Sequence, residues 1–153
     1  MDYDKKWVDL NLILEESKTA LRRLIEETGT VIIAGYLPEA RVIPFQIKQV
    51  FQNLISHAIK FRHPEKPPSI CITASMGENN TIHLKFRDDG IGADKEATDS
   101  IFNLFGRLPG ENDHNNNETG IYSGKKTVSH RNGSFYAESN PGTGNTFHLL
   151  IPH

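Results

Sequence analysis

A two-layer α/β sandwich, one mixed β-sheet with its helices packed on a single face, is the fold this 153-residue chain predicts. Three observations point to it. Apolar residues recur at helical spacing between Leu12 and Gly29, and again after Pro44. β-branched, apolar runs stand at 30–35, 69–75 and 81–87, bounded by glycine, proline and asparagine. Two further strand-like segments, 133–139 and 146–151, close the chain. Strand order stays open on pattern alone.

Taken in order, Val8-Asp9-Leu10 reads as a short strand, and Asn11 as the cap of the helix that follows. Leu14, Ala20, Leu21, Leu24 and Ile25 form that helix's apolar face, and Gly29 ends it. Thr30 to Gly35 reads as a buried strand, broken by Pro38. Pro44 opens a helix whose stripe is Ile47, Val50, Phe51, Leu54, Ala58 and Phe61. The prolines of His63-Pro64-Glu65-Lys66-Pro67-Pro68 stop it, because proline lacks an amide and clashes with the preceding turn. Ser69–Ser75 and Thr81–Arg87 read as paired strands joined through Gly77-Glu78-Asn79-Asn80. A helix is expected from about Asp94 or Lys95, and another from near Gly120 to His130. Between them, 109–118 is polar and aperiodic, so a mobile loop is expected there.

Bulk properties narrow the function. The length suits a single domain over 1–153. A formal net charge of −2 with no basic stripe argues against nucleic acid as a partner. No apolar run approaches the roughly 20 residues that cross a bilayer, so membrane contact by this domain is not expected. Met1-Asp2-Tyr3-Asp4-Lys5-Lys6 lacks the apolar core of a signal peptide. The lone cysteine, Cys71, has no partner for an internal disulfide and reads as core packing between Ile70 and Ile72. Both points fit a cytoplasmic location.

The chemistry concentrates at Arg87-Asp88-Asp89-Gly90-Ile91-Gly92, where alternating Ile82, Leu84 and Phe86 run into an acidic pair and two glycines. Such a turn brings carboxylate and backbone close to a ligand. On the helix upstream, Asn53, His57 and Lys60 stand at i, i+4 and i+7 and share a face. An amide, an imidazole and a cation on one face suit a polyphosphate and its metal. Ile101-Phe102-Asn103-Leu104-Phe105-Gly106 and Gly142-Thr143-Gly144-Asn145-Thr146-Phe147 follow in order.

Together the four motifs resemble the asparagine, glycine and phenylalanine boxes of the ATP-binding catalytic domain of sensor histidine kinases, within the Bergerat-fold ATPases. The resemblance covers 8–152 and implies the α/β sandwich, with 109–118 as the ATP lid. It implies that Asp88 accepts a hydrogen bond from the adenine amino group, with Gly90 and Gly92 near the base. Asn53 and the position of His57 would hold Mg²⁺, Lys60 would contact phosphate, and Thr146 would lie near the adenine pocket. Gly120 and Ile121 would match the end of the lid's glycine motif, counted back without a gap from Lys125-Lys126. Phe102 and Phe105 are expected to pack beneath the lid. ATP and Mg²⁺ are the implied cofactors. The implied partners are a helical dimerisation and phosphoacceptor domain of the same protein and a response regulator; the acceptor domain is absent from this sequence.

Two departures bear on activity. His57 stands where the family has an oxygen-bearing asparagine, and Mg²⁺ strongly prefers oxygen ligands. Asn116 and Glu118 replace lid glycines, and Glu118 would set a carboxylate near the triphosphate. These substitutions keep open a degenerate pseudokinase module that signals by protein contacts. A stand-alone serine kinase of the anti-sigma-factor type shares the pocket and is a third reading. ATP hydrolysis as the main function is disfavoured, because Asn53 occupies the place of the hydrolytic relatives' glutamate and cannot act as a base.

Overall fold

The computed structural model describes residues 5–77, 80–91, 125–130, 133–140 and 144–152. Within them, the chain runs β1 (Lys6–Asp9), α1 (Leu10–Ala20), α2 (Arg22–Thr28), β2 (Val31–Ala34), β3 (Glu39–Val42), α3 (Pro44–Lys60), β4 (Ser69–Met76), β5 (Thr81–Asp88), β6 (Lys125–His130), β7 (Gly133–Asn140) and β8 (Gly144–Pro152). Six strands form one mixed sheet in the order β2-β4-β5-β8-β7-β6, while β1 and β3 make a separate antiparallel ribbon. The β2–β4 pair is parallel and every other pair in the sheet is antiparallel. The predicted α/β sandwich is the observed fold.

The core follows from alternation along the central strands. Ile82, Leu84 and Phe86 of β5 stand opposite Ile151, Leu149 and Phe147 of β8, and all six are buried. Against them packs α3, whose Ile47, Val50, Phe51, Leu54 and Ala58 are buried as their spacing predicts. Phe51 meets the ring of Phe86 edge-on, with centroids 4.9 Å apart. Ile55 and Ile59 are buried as well, because α1 covers the far side of α3 through Leu10, Ile13 and Leu14. Burying a large apolar side chain stabilises the fold by about 1.5–3 kcal/mol each. Phe61, assigned to the same stripe, is only half-buried.

The ends of several elements differ from expectation for identifiable reasons. Asp9, not Asn11, caps α1: its carboxylate accepts from the Asn11 backbone amide at 2.9 Å. Asn11 instead clamps buried Leu37, donating from Nδ2 to its carbonyl at 2.6 Å and accepting from its amide at 3.0 Å. The first helix is two helices, interrupted at Leu21, where the backbone leaves helical geometry (φ −105°, ψ 16°). As expected, α2 ends at Gly29 in the left-handed region (φ 69°). Strand β3 was not anticipated beyond Pro38, although Glu39-Ala40-Arg41-Val42 does alternate, with Ala40 fully buried. Cys71 is half-buried on the sheet face turned away from the helices, whereas Ile70 and Ile72 reach the core.

The largest correction concerns 120–130. A helix was expected there, but Lys125–His130 is the edge strand β6, antiparallel to β7 with Lys126 opposite Ala137 and Val128 opposite Phe135. Thr127-Val128 is a β-branched pair with weak helix preference, and Val128 is the one strongly apolar residue of 125–130. Pairing with β7 satisfies backbone groups that a helix would leave exposed along that strand. The helix from 94 and the loop at 109–118 fall outside the described residues. Among the described residues, no helix is long and apolar enough to cross a membrane.

Candidate nucleotide site

The site grows from the way β5 ends. Asp88 continues the buried alternation of Ile82, Leu84 and Phe86, so its carboxylate enters the core-facing side of the sheet and is only 6% exposed. Its Oδ1 accepts from the backbone amides of Gly90, at 2.9 Å, and Asn145, at 3.3 Å. Burial pushes the Asp88 carboxyl above its usual range, with the Asp89 charge adding to the rise and the amide hydrogen bonds opposing it. Here burial outweighs the amides. A carboxyl raised in this way, at the rim of a core, is the kind of group that ligand sites tune.

The turn after β5 is fastened to α3. The amide of Ile91 donates to the carbonyl of Phe61, the C-cap of α3, at 3.0 Å. Gly90 is required by this approach: a Cβ there would stand 2.5 Å from the same Phe61 carbonyl oxygen. Asp89 holds the other side, accepting from the Ser69 amide through Oδ1 at 2.9 Å and pairing with Lys66 at 3.4 Å. On β8, Gly144 lies against the Asp88 backbone carbonyl so closely that any Cβ would overlap it, and its φ of 116° excludes ordinary side chains. Helix α3, the 88–91 turn and the start of β8 therefore meet at one corner.

Asn53, half-buried, donates from Nδ2 to the Gln49 carbonyl at 2.9 Å, which leaves its Oδ1 as the oxygen donor of this face. Lys60 is exposed, with Nζ 5.4 Å from the Phe61 ring centroid. His57 departs from the shared polar face. It is 6% exposed, its ring 4.9 Å from that of Phe61 and edge-on to Phe147 at 5.3 Å. An imidazole packs there as an aromatic, which an asparagine would not do. As a donor set for Mg²⁺, Asn53 fits and His57 does not: the ring offers nitrogen to an ion that takes oxygen.

Thr146 is turned elsewhere. It pairs with Arg87 and Glu138 and alternates to the sheet face opposite Phe147. The β8 residue brought to Asp88 is its neighbour Asn145, 2% exposed, whose buried side-chain amide lies beside the Asp88 carboxylate and, among the described residues, makes no close, well-aligned hydrogen bond. Sequence reading passed over Asn145; the signal was its parity with Phe147, since both must face the helices. Gly92, Gly120, Ile121, Phe102, Phe105 and Glu118 lie outside the described residues.

Comparison with known proteins agrees with this geometry. Residues 43–153 match the family described as histidine kinase-, DNA gyrase B-, and HSP90-like ATPase. The chain is 34% identical over 146 residues to the phytochrome-like protein Cph1 of Synechocystis sp., covering 95% of this chain and 19% of that protein. It is 37% identical over 139 residues to cyanobacterial phytochrome A of Nostoc sp., covering 91% and 18% respectively. The chain thus spans about a fifth of the length of the curated relatives it matches. The catalytic domain of histidine kinase ThkA superposes with a TM-score of 0.67 at 16% identity, over 99% of this chain and 96% of that one. Full-length ShkA, solved with AMPPNP, superposes at 0.64 with 16% identity over 99% of this chain and 32% of that one. The match over residues 43–153, on a chain with this fold, places it in the histidine kinase-, DNA gyrase B- and HSP90-like ATPase family, as a catalytic domain of the histidine-kinase type.

Proposed function

We propose that this domain seats ATP in the corner between α3 and the 88–91 turn and, in its parent protein, presents the γ-phosphate to a histidine on a separate dimerising helical domain, for relay to a response regulator. The observation that carries the reading is the buried Asp88 carboxylate, held by two backbone amides through one oxygen and next to the buried Asn145 amide. A carboxylate fixed in this way recognises an exocyclic amine, and the buried Asn145 amide beside it, which also favours the ionised Asp88, adds a second polar group for the ligand to match. A base that mismatched either group would leave it desolvated and unpaired, which is how polar sites discriminate. Lys60, at the exposed end of the same helix, is the phosphate contact; Gly90 keeps the turn in reach. This domain's share of such chemistry is positioning and charge neutralisation, the nucleophile being the acceptor histidine itself.

Calorimetric titration with ATP tests the reading, with GTP as the comparison. Micromolar, adenine-selective binding that Asp88→Asn weakens is the expected result. Transfer of label from ATP to an acceptor helical domain supplied in trans then separates a kinase from a domain that only binds.

A second reading has its own observation. His57 is packed between Phe61 and Phe147 where an oxygen ligand is expected, so a module that binds nucleotide weakly and signals by protein contacts is consistent with this corner. His57→Asn restores an oxygen donor. If metal ligation is the deficit, that substitution makes ATP affinity rise with added Mg²⁺ by about tenfold relative to the parent chain. Unchanged Mg²⁺ dependence would show that His57 is not the cause.

A further inference from the structure

A concave surface lies on the β1–β3 ribbon, and none of its described lining residues belongs to the nucleotide corner. It is an open groove of about 620 Å³ lined by Trp7, Asp9, Asn11, Tyr36, Pro38 and Glu39. Its two aromatic side chains are strongly exposed, Trp7 at 57% and Tyr36 at 79%. Large aromatics left on a surface mark interaction sites more than packing, because their burial against a partner is worth more than their exposure.

The ribbon explains why both faces differ. Ala40 is fully buried beneath it, so alternation turns Trp7, Asp9, Glu39 and Arg41 outward. In the antiparallel register Asp9 stands directly opposite Glu39. Like charges directly opposite across a ladder are destabilising. Among the described residues, neither carboxylate makes an ion pair and no lysine or arginine lines the groove. Arg41 is the cross-strand neighbour of Trp7 but does not line the groove. Capping of α1 accounts for Asp9; it does not account for Glu39.

We propose that this groove docks an extended, arginine-bearing segment of a protein partner, the guanidinium held by the Asp9–Glu39 pair and stacked on Trp7 and Tyr36. Arginine fits better than lysine, because a planar, weakly hydrated guanidinium can both stack on aromatic faces and pair with carboxylates. The acidic lining disfavours nucleic acid and anionic lipid.

Trp7 is the sole tryptophan of the chain, so its emission reports the groove directly. The test titrates the chain with an oligoarginine peptide, with oligolysine and oligoglutamate as comparisons, in the absence and presence of saturating ATP. The expected result is a saturable change in Trp7 emission with oligoarginine, weaker with oligolysine, absent with oligoglutamate and indifferent to ATP. Glu39→Gln and Tyr36→Ala should each weaken it about three- to fivefold. Asp9→Asn removes the charge while keeping a good helix cap, and should weaken it similarly with unchanged helix content. No emission change, equal response to oligolysine, or insensitivity to all three substitutions overturns the proposal. So does an emission change that depends on protein concentration alone, which would assign the groove to a second copy of this chain.

Discussion

Asp88 shows stability and recognition pulling in opposite directions on a single side chain. Its carboxyl is raised mainly by burial, so the folded state favours the protonated form more than the unfolded chain does. The stability this group contributes is therefore full below its unfolded value and is lost as pH rises through the raised folded value. At neutral pH the ionised group is a cost. Asp88→Asn keeps an oxygen to accept from Gly90 and Asn145 and removes the charge. The variant is expected to melt higher than the parent at neutral pH, with the difference vanishing in acid, as followed by thermal denaturation. Its ATP affinity should fall roughly ten- to a hundredfold, the worth of a hydrogen bond to a charged group. A variant that loses both stability and affinity would assign Asp88 to the scaffold alone.

At the scale of elements, β8 is the hub, since it joins β5 to β7 and brings Asn145 to Asp88. Gly144 makes that junction possible, because no Cβ fits between it and the Asp88 carbonyl. Gly144→Ala should cost about 2–3 kcal/mol in a urea titration and abolish nucleotide binding with it. On the opposite sheet face β8 is tied by a row of side chains. His83 Nε2 and His148 Nδ1 are 2.8 Å apart, and His148 Nε2 lies 2.8 Å from Glu138 Oε1, so β5, β8 and β7 share one hydrogen-bonded chain. Burial, then His148, then Lys85 hold His83 below its ordinary value of 6.5. A depressed histidine favours the neutral ring in the fold, so its contribution is present above that ordinary value and is lost as pH falls below it through the lowered folded value. Urea midpoints should decline as pH falls below His83's ordinary value of 6.5, and His83→Gln should flatten that decline. A decline of the same slope in the variant would place the sensitivity elsewhere.

The sequence showed these elements unevenly. Helix α3 was legible in its bounds, because proline at its start, an apolar stripe and a proline-rich stop all agree, but the burial of Ile55 and Ile59 outside that stripe was not. The β5 turn was legible for the same reason. Strand β3 has only four residues and two weakly apolar ones, and β6 is defined by the edge of β7 rather than by anything within 125–130. His57 reads as polar by type and by helical position; only the presence of Phe61 and Phe147 around it makes it an aromatic.

For the molecule as a whole, sheet order matters more than any single contact. β5 and β8, 56 residues apart between Asp88 and Gly144, lie side by side at the centre, and the core pairs Phe86–Phe147, Leu84–Leu149 and Ile82–Ile151 span that separation. Removal of 144–152 should therefore abolish the cooperative thermal transition rather than lower its midpoint, because it exposes the apolar faces of β5 and α3 together. A truncated chain that still unfolds in one sharp step would show that the β2-β4-β5 half is stable alone.

Chain synthesis runs in the opposite sense to this requirement. By the time β5 leaves the ribosome its neighbour has yet to be translated, and at about 5–20 residues per second the gap lasts several seconds. During that interval Ile82, Leu84 and Phe86 and the free edge of β5 form a sticky, half-made surface. Nascent-chain shielding by a chaperone, or a pause that brings 144–152 out quickly, is what such a strand order asks of the cell that makes it.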